Sequence, residues 1–286
     1  AKAADVISLA GFYFEKELPK VAESFADKKN IILLLIIGFI LDNGVRVMVD
    51  HAKQVGQPLG VFETFIMCLN HWYYLVIFLV GYVLILTTIP RLDSDQLLLI
   101  YRAGKKGWFF GELLQITLYS LAYILLLMAG CMVCAAKYSY VGNIWSNFTI
   151  YYKSSYEKLL SDNNRFIDQQ VFKYYSPYQA VIHGVVLLLL CMVLMGTVTL
   201  YFSIMNKKLV AILLNVISIL FVLIFNNYRI GAMWLSPFCH AVLALHNRYV
   251  YTEFSVSLGY SYAYLVLLEI IMIGLSIKQL KKKMFY

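Results

Sequence analysis

Six apolar runs, each about as long as a membrane-spanning helix, constrain this chain more than any other feature. A bilayer core about 30 Å thick is crossed by about 20 residues of α-helix. Only 14% of the residues are charged, whereas soluble domains have roughly 25%. The sequence therefore predicts an all-α polytopic membrane protein with six transmembrane helices, at 30–49, 72–89, 108–135, 180–205, 209–226 and 258–277.

The positions of the basic residues predict the orientation of these spans. Fifteen of the 24 Lys and Arg residues fall in the N-terminal segment, in the loops after the second and fourth spans, and in the C-terminal tail. Basic loops stay on the cytoplasmic side of a membrane, so both termini are predicted to be cytoplasmic. The same bias accounts for the net charge of +8 without nucleic acid as a partner.

The first 29 residues have the pattern of an amphipathic helix that lies on the membrane surface. Ile7, Phe14 and Leu18 share one helical stripe, and charged residues lie elsewhere around the helix. The segment has no apolar core of the kind found in a signal peptide. We therefore expect an interfacial helix before the first span.

The loop at 91–107 has the signals of a short cytoplasmic helix. Asp93 is suited to the N-cap and Gln96 completes a capping-box-like pair, whereas Gly104 and Gly107 can end the helix. The apolar side chains of this helix are Leu97, Leu98, Ile100 and Tyr101. The residues alone favour contact with the lipid interface over docking into a partner's groove.

Two long segments are predicted on the outer side. In residues 227–257, Ser236 and Pro237 can cap and begin a helix whose apolar face includes Phe238. This helix is either a re-entrant gate element or part of a packed loop. The loop at 137–178 is rich in tyrosine, and it is either a structural cap or a lid over an amphipathic substrate.

Few polar side chains fall within the spans, and each is a functional candidate because burial in a membrane is costly. Glu269 lies near the middle of the last span, where it either holds helices together, the favoured interpretation, or meets a cationic substrate. Asn215 can form a hydrogen bond across helices. Asp42 and Arg46 are four residues apart and can form an ion pair within the first span.

The sequence contains no recognisable catalytic or metal-binding motif. Cys131 and Cys134 have the spacing of a redox or zinc pair, but they lie in an apolar run without a second Cys or His pair. No G-x-x-x-x-G-K-[ST] loop is present, so the chain itself has no usual means of cradling ATP. One alternative function is a lipid-modifying membrane enzyme with Glu269 or a histidine as acid or base. Another is an ATPase-independent assembly or sensor protein. The candidate histidines are His71, His240 and His246.

The order of these elements resembles the permease subunits of type-2 ABC exporters. The resemblance extends over nearly the whole chain as topology. Its motifs are Arg102-Ala-Gly-Lys-Lys-Gly-Trp108-Phe-Phe-Gly111 and Ser236-Pro237-Phe238. The sequence departs from the family's pattern at Glu112, where many relatives carry a basic residue.

This resemblance implies a function and a set of partners. The helix at 91–107 becomes a coupling helix that contacts separate ATPase subunits, which bind ATP and Mg, and the chain itself holds no cofactor. A second permease subunit, identical or different, faces the first across a substrate path. The implied substrate is an antimicrobial peptide, a drug or a lipid exported through the cytoplasmic membrane of a bacterium.

The resemblance also gives roles to particular residues. The implied ATPase contacts are Asp93, Gln96, Leu97, Leu98, Ile100, Tyr101 and Arg102. The candidates for the substrate path are the intramembrane residues Glu269 and Asn215. Those for an outer gate are Ser236, Pro237 and Phe238.

Overall fold

The structure, a computed structural model, describes residues 28–88, 94–155, 166–228, 231–246 and 256–282. Nearly all of the predicted interfacial helix at 1–29 lies outside these ranges. The described residues are mostly helical, and two two-residue strands are the only sheet among them. The helices are α1 (Lys28–Ile40), α2 (Val47–Val55), α3 (Glu63–Asn70), α4 (Trp72–Leu86), α5 (Ser94–Ala135), α6 (Asn147–Ser155), α7 (Gln169–Tyr174), α8 (Pro177–Ile204), α9 (Lys208–Tyr228) and α10 (Leu258–Lys282).

Four stretches of helix in the described part are long and apolar enough to cross a bilayer. They are Ile31–Val55, Gly104–Tyr138, Pro177–Ile204 and Leu258–Lys282. The pair α3 and α4 makes a fifth if it is counted as one broken span, and α9 adds a shorter apolar helix, Lys208–Phe221. The structure therefore supports a multi-pass helical membrane protein. Its described part contains four or five candidate spans, so the predicted number of six is not confirmed.

The first span contains a π-helical turn at Leu41–Arg46, between α1 and α2. A π-turn disturbs the regular backbone hydrogen bonding of a helix. Here the Tyr74 hydroxyl donates to the Asn43 carbonyl at 2.9 Å. Gly44 faces the same ring, and a Cβ at this position would lie 2.9 Å from Tyr74 Cζ. Tyr74 of α4 therefore packs directly on the turn.

The second predicted span, 72–89, is the latter part of a sharply bent pair of helices. α3 and α4 meet at His71 with a bend of 80°. The backbone of His71 is extended (φ −90°, ψ 113°), which ends α3 and begins α4. α4 has only 15 residues, so the straight helix is shorter than predicted.

The end of the bundle at which α2 finishes is here called the loop face. Strands β1 (Leu59–Gly60) and β2 (Ser139–Tyr140) pair in parallel there. The Trp145 indole donates to the Tyr175 carbonyl at 2.8 Å, and Ser176 caps α8 in a capping box with Gln179. Much of the 137–178 segment is therefore tied to the loop face, including the short helices α6 and α7.

At the opposite end of the bundle, α5 is two helices joined at Gly104. This glycine has φ 74° and ψ 160°, a conformation that is essentially restricted to glycine. The prediction that Gly104 ends the helix that begins near 94 is therefore correct, whereas Gly107 lies within the following helix. Ile100 packs in a buried cluster with residues at the ends of α8 and α10.

Candidate functional site

The 231–246 segment folds into three short 3₁₀ helices, Gly231–Leu235, Pro237–Ala241 and Leu243–Leu245. The sequence predicted one α-helix that starts at Ser236 and Pro237. Pro237 does begin a helix, but Ser236 makes no side-chain cap. Val242 is extended (φ −89°, ψ 106°) and interrupts the predicted helix. Phe238, the predicted gate residue, is buried at 2% exposure.

This segment reaches into the interior of the bundle. The Cys191 thiol, midway along α8, donates to the Pro237 carbonyl at 3.2 Å. The Ala244 amide donates to Asn70 Oδ1 at 2.9 Å, next to the bend between α3 and α4. Irregular backbone at membrane depth is stable only where protein or water satisfies its polar groups. These two contacts satisfy backbone groups of the 231–246 segment. The contact with Asn70 also places this segment next to the bend between α3 and α4.

One end of the segment is held to α10 by the serine–histidine cluster, which comprises His240, His246 and Ser261. Ser261 Oγ lies 2.8 Å from His240 Nδ1 and 2.7 Å from His246 Nε2. All three residues are fully buried. The sequence analysis named both histidines as acid–base candidates but overlooked Ser261, because nothing in the local sequence links it to them.

The remaining ring nitrogens fix the tautomer of each histidine. His240 Nε2 lies 2.9 Å from the Trp234 carbonyl, and His246 Nδ1 lies 3.1 Å from the Val242 carbonyl. A carbonyl oxygen only accepts, so each of these nitrogens carries a proton. Both lone-pair nitrogens therefore face the single hydroxyl of Ser261, and this hydroxyl can donate to only one of them at a time.

Burial keeps both imidazoles neutral. Desolvation lowers the pKa of His240, and it lowers the pKa of His246 from 6.5 to about 4, with a smaller effect of the neighbouring His240. The Tyr264 ring stacks on His240 at 4.4 Å between ring centroids. The cluster can thus act as a proton acceptor, and acid pH would place a charge inside it.

Glu269 contacts α8 from α10, consistent with its position within the predicted last span. Its Oε1 lies 2.6 Å from Thr197 Oγ1. The same hydroxyl is 2.9 Å from the carbonyl of Val193 on its own helix. Glu269 Oε2 is buried and has no hydrogen-bond partner in the part of the chain that the structure describes.

Asn215, the other predicted intramembrane candidate, contacts α8 from α9. Its side-chain amide donates to Thr199 Oγ1 at 3.0 Å and to the Met195 carbonyl at 3.3 Å. Thr197 and Thr199 are two residues apart, so they point roughly 200° apart around α8. The structure therefore places Glu269 and Asn215 on different sides of α8 and does not bring them into one site.

The structure also buries the carboxyl group of Glu63, which the sequence did not indicate as a candidate. It is fully buried at the start of α3. Its Oε1 accepts from the Ser146 amide at 2.6 Å, and its Oε2 accepts from the hydroxyls of Ser146 at 2.6 Å and Thr149 at 2.7 Å. The local signal was an acidic residue directly before an apolar helix, but its partners are more than 80 positions away.

The residues of the predicted coupling helix are only partly described. Asp93 and the side chains of Gln96, Leu97, Leu98, Tyr101 and Arg102 lie outside the described part. Ile100 is buried, and it belongs to the cluster that contains Trp108, Ile204 and Leu280. Ile100 therefore anchors the helix to the bundle. Contact between the other residues and an ATPase stays a prediction.

The predicted pair of Asp42 and Arg46 forms, with 3.0 Å between Oδ1 and Nη1. Asp50 and Lys53 extend it into a ladder of alternating charges along an open groove of about 460 Å³. These side chains are about half exposed or more, so the pairs add little stability. No group of three or more His, Cys, Asp or Glu suited to a metal occurs among the described residues.

Comparisons with known proteins identify no relative: no family model, no curated protein and no solved structure matches this chain.

Proposed function

We propose that this chain is the permease subunit of an ATP-driven exporter of the type-2 ABC class. Its substrate is amphipathic, such as an antimicrobial peptide, a drug or a lipid. Separate ATPase subunits bind ATP and Mg, and a second permease subunit completes the substrate path in the cytoplasmic membrane of a bacterium. Several long apolar helices compatible with a multi-pass membrane protein support this proposal.

The observation that carries the proposal is the short helix before Gly104. The break at Gly104 separates this helix from the membrane helix that follows. Ile100 joins it to the ends of α8 and α10 through Ile204 and Leu280. A partner that displaces the short helix would therefore push on α8 and α10 directly.

α8 and α10 also extend to the opposite half of the bundle, so they can transmit a displacement of the short helix to that half. α8 and α10 contact each other through Thr197 and Glu269, and each also binds the 231–246 segment. Cys191 provides the contact from α8, and Ser261 provides the contact from α10. A rigid-body shift of packed helices is a common mode of domain closure. ATP-driven closure of the ATPases would thus alter the hold on the 231–246 segment, which we assign as the outer gate.

Co-purification tests this assignment. The double substitution Leu98→Asp and Tyr101→Asp places two charges on the predicted ATPase-contact helix. We expect the ATPase to be lost from material purified through a tag on this chain. The matched control places two aspartates at Val141 and Ile144, which are 81% and 72% exposed. An ATPase retained equally by both variants would count against the assignment.

The serine–histidine cluster favours a second candidate, a lipid-modifying membrane enzyme. Ser261 has an imidazole base within hydrogen-bond distance, and a backbone carbonyl orients that base, as in other activated serines. A fluorophosphonate probe tests it. Labelling that disappears in Ser261→Ala would support the enzyme, and unlabelled wild-type protein would favour the exporter.

A further inference from the structure

Glu63 is a fully buried side chain, and Glu269 is a partly buried one whose Oε2 is enclosed. The surroundings of these two carboxyl groups supply different numbers of hydrogen-bond donors. An ionised carboxylate only accepts hydrogen bonds, whereas a protonated acid also donates one. Counting the protons of the neighbouring groups therefore indicates the charge of each side chain. These charges follow from the geometry of the contacts alone and do not depend on an ATPase partner.

Glu63 has the surroundings of a carboxylate. The Ser146 amide must donate, and it meets Oε1. The Ser146 hydroxyl accepts from the Thr149 amide at 3.1 Å, so its own proton is free to be donated to Glu63 Oε2. The Thr149 hydroxyl also donates to Oε2. Three donors thus converge on two oxygens, and every proton has an acceptor when Glu63 is charged.

Glu269 has the surroundings of a neutral acid. Thr197 has one hydroxyl proton, and two oxygens lie within hydrogen-bond distance of it, at Val193 O and Glu269 Oε1. If Thr197 donates to the Val193 carbonyl, the contact with Glu269 is completed only when Glu269 donates to Thr197. An ionised Glu269 would instead leave its buried Oε2 charged and without a donor, which is costly in an apolar interior.

The neighbouring groups do not offer a replacement proton. Tyr82 of α4 lies close enough to Glu269 for the two side chains to interact electrostatically. The Ser120 hydroxyl donates to the Ile116 carbonyl at 2.8 Å, so the Tyr82 hydroxyl, 2.7 Å from Ser120, donates to Ser120. The proton of Tyr82 is therefore already committed to α5.

Two histidines on the elements packed against α10 contact that helix away from Glu269. His183 of α8 contacts Tyr262, and His240 of the 231–246 segment contacts Ser261, both in the first turns of α10. The charged residue of α5 within the bundle is Glu112, and α10 itself carries Lys278 beyond Glu269. The two neighbours of Glu269 named above, Thr197 and Tyr82, are hydroxyl groups and carry no positive charge that would stabilise an ionised Glu269.

We propose that Glu269 is a proton-binding site of the membrane domain, occupied in this structure and emptied when α8 and α10 move apart. The bound proton lets Glu269 donate to Thr197 while Thr197 donates to Val193, so it completes the contact between the two helices. Separation of α8 and α10 removes the acceptor at Thr197 and opens Oε2 to water. The released carboxylate can then bind a proton or one cationic group.

Dicyclohexylcarbodiimide tests the proposal on the unmodified chain in nanodiscs. The O–H of a carboxylic acid adds across a C=N bond of this apolar reagent, so protonated acids in a membrane react and carboxylates are spared. Mass spectrometry of the peptides should locate the adduct on Glu269 and leave Glu63 unmodified. An adduct on Glu63 in protein whose Glu269 is unmodified would reverse both assignments and overturn the proposal.

Infrared spectroscopy provides an independent measurement with matched variants. Wild-type spectra minus those of Glu269→Gln should contain the C=O band of a carboxylic acid, which shifts in D₂O. The corresponding difference for Glu63→Gln should contain carboxylate bands instead. Carboxylate bands without an acid band in the Glu269 difference would refute the proposal, whatever the outcome of ATPase co-purification.

Discussion

Replacing Glu63 with alanine should be among the most destabilising single changes in the described part of this protein. The substitution removes the acceptor of three buried donors, the Ser146 amide and the hydroxyls of Ser146 and Thr149. The two hydroxyls can turn toward each other, since they already lie 3.2 Å apart. The Ser146 amide cannot turn, so it is left without its acceptor.

The magnitude follows from these contacts. An unsatisfied buried donor costs about 1–3 kcal/mol, and hydrogen bonds to a charged group contribute about 1.5–3 kcal/mol each. Allowing for the hydroxyl rearrangement and the cavity, we expect a loss of about 4 kcal/mol. Glu63→Gln keeps one acceptor oxygen and the side-chain volume, so it should cost about half as much.

Reactivity of buried thiols measures the effect. Cys68 of α3 and Cys131 of α5 are buried, so a maleimide dye reports their exposure on heating. The control is Asp42→Asn, which removes an exposed ion pair expected to contribute at most about 1 kcal/mol. If Glu63→Ala unfolds at the same temperature as Asp42→Asn, the hydrogen bonds of Glu63 with Ser146 and Thr149 are not a major source of stability.

Three further predictions concern other parts of the bundle. Acidification should release the 231–246 segment, because burial lowers the pKa of His246 from 6.5 to about 4. The contribution of His246 to stability is therefore present above pH 6.5 and is lost as the pH falls toward 4. The acid transition in tryptophan fluorescence should be smaller in His246→Gln, in which His240 remains, than in the wild type. A Cβ at Gly196 would overlap Ile116 Cγ2, so Gly196→Ala should lower the free energy of unfolding by about 1–3 kcal/mol in a thermal melt. Gly274→Ala has open space around its Cβ and should cost nothing. Gly104→Ala should lower the free energy of unfolding by about 1–3 kcal/mol, because alanine does not adopt the backbone conformation of Gly104. Equal thermal stability of Gly104→Ala and Gly274→Ala would contradict the helix break at Gly104.

The features that the sequence predicted correctly depend on local patterns. Apolar runs predicted the helical membrane protein, a glycine predicted the break at Gly104, and Pro237 predicted the start of a helix. Glu269 was singled out because an acid within an apolar run needs a reason to be there. Each of these inferences uses residues within one element.

The features that the sequence did not predict depend on pairing between distant residues. The donors to Glu63 are Ser146, directly before α6, and Thr149 in its first turn, and the partners of Ser261 come from the 231–246 segment. The π-turn near Gly44 fits a ring from α4, and Asn70 at the bend binds Ala244. No spacing rule along the chain reveals such contacts, because they form only when the helices pack.

ATP turnover in material purified through a tag on this chain tests the central claim most directly. The wild-type complex in nanodiscs should hydrolyse ATP and be inhibited by vanadate. The Leu98→Asp and Tyr101→Asp double variant should purify as a folded membrane protein without that turnover. Folded wild-type protein that brings no ATPase with it from its own membranes would contradict the assignment as an exporter permease.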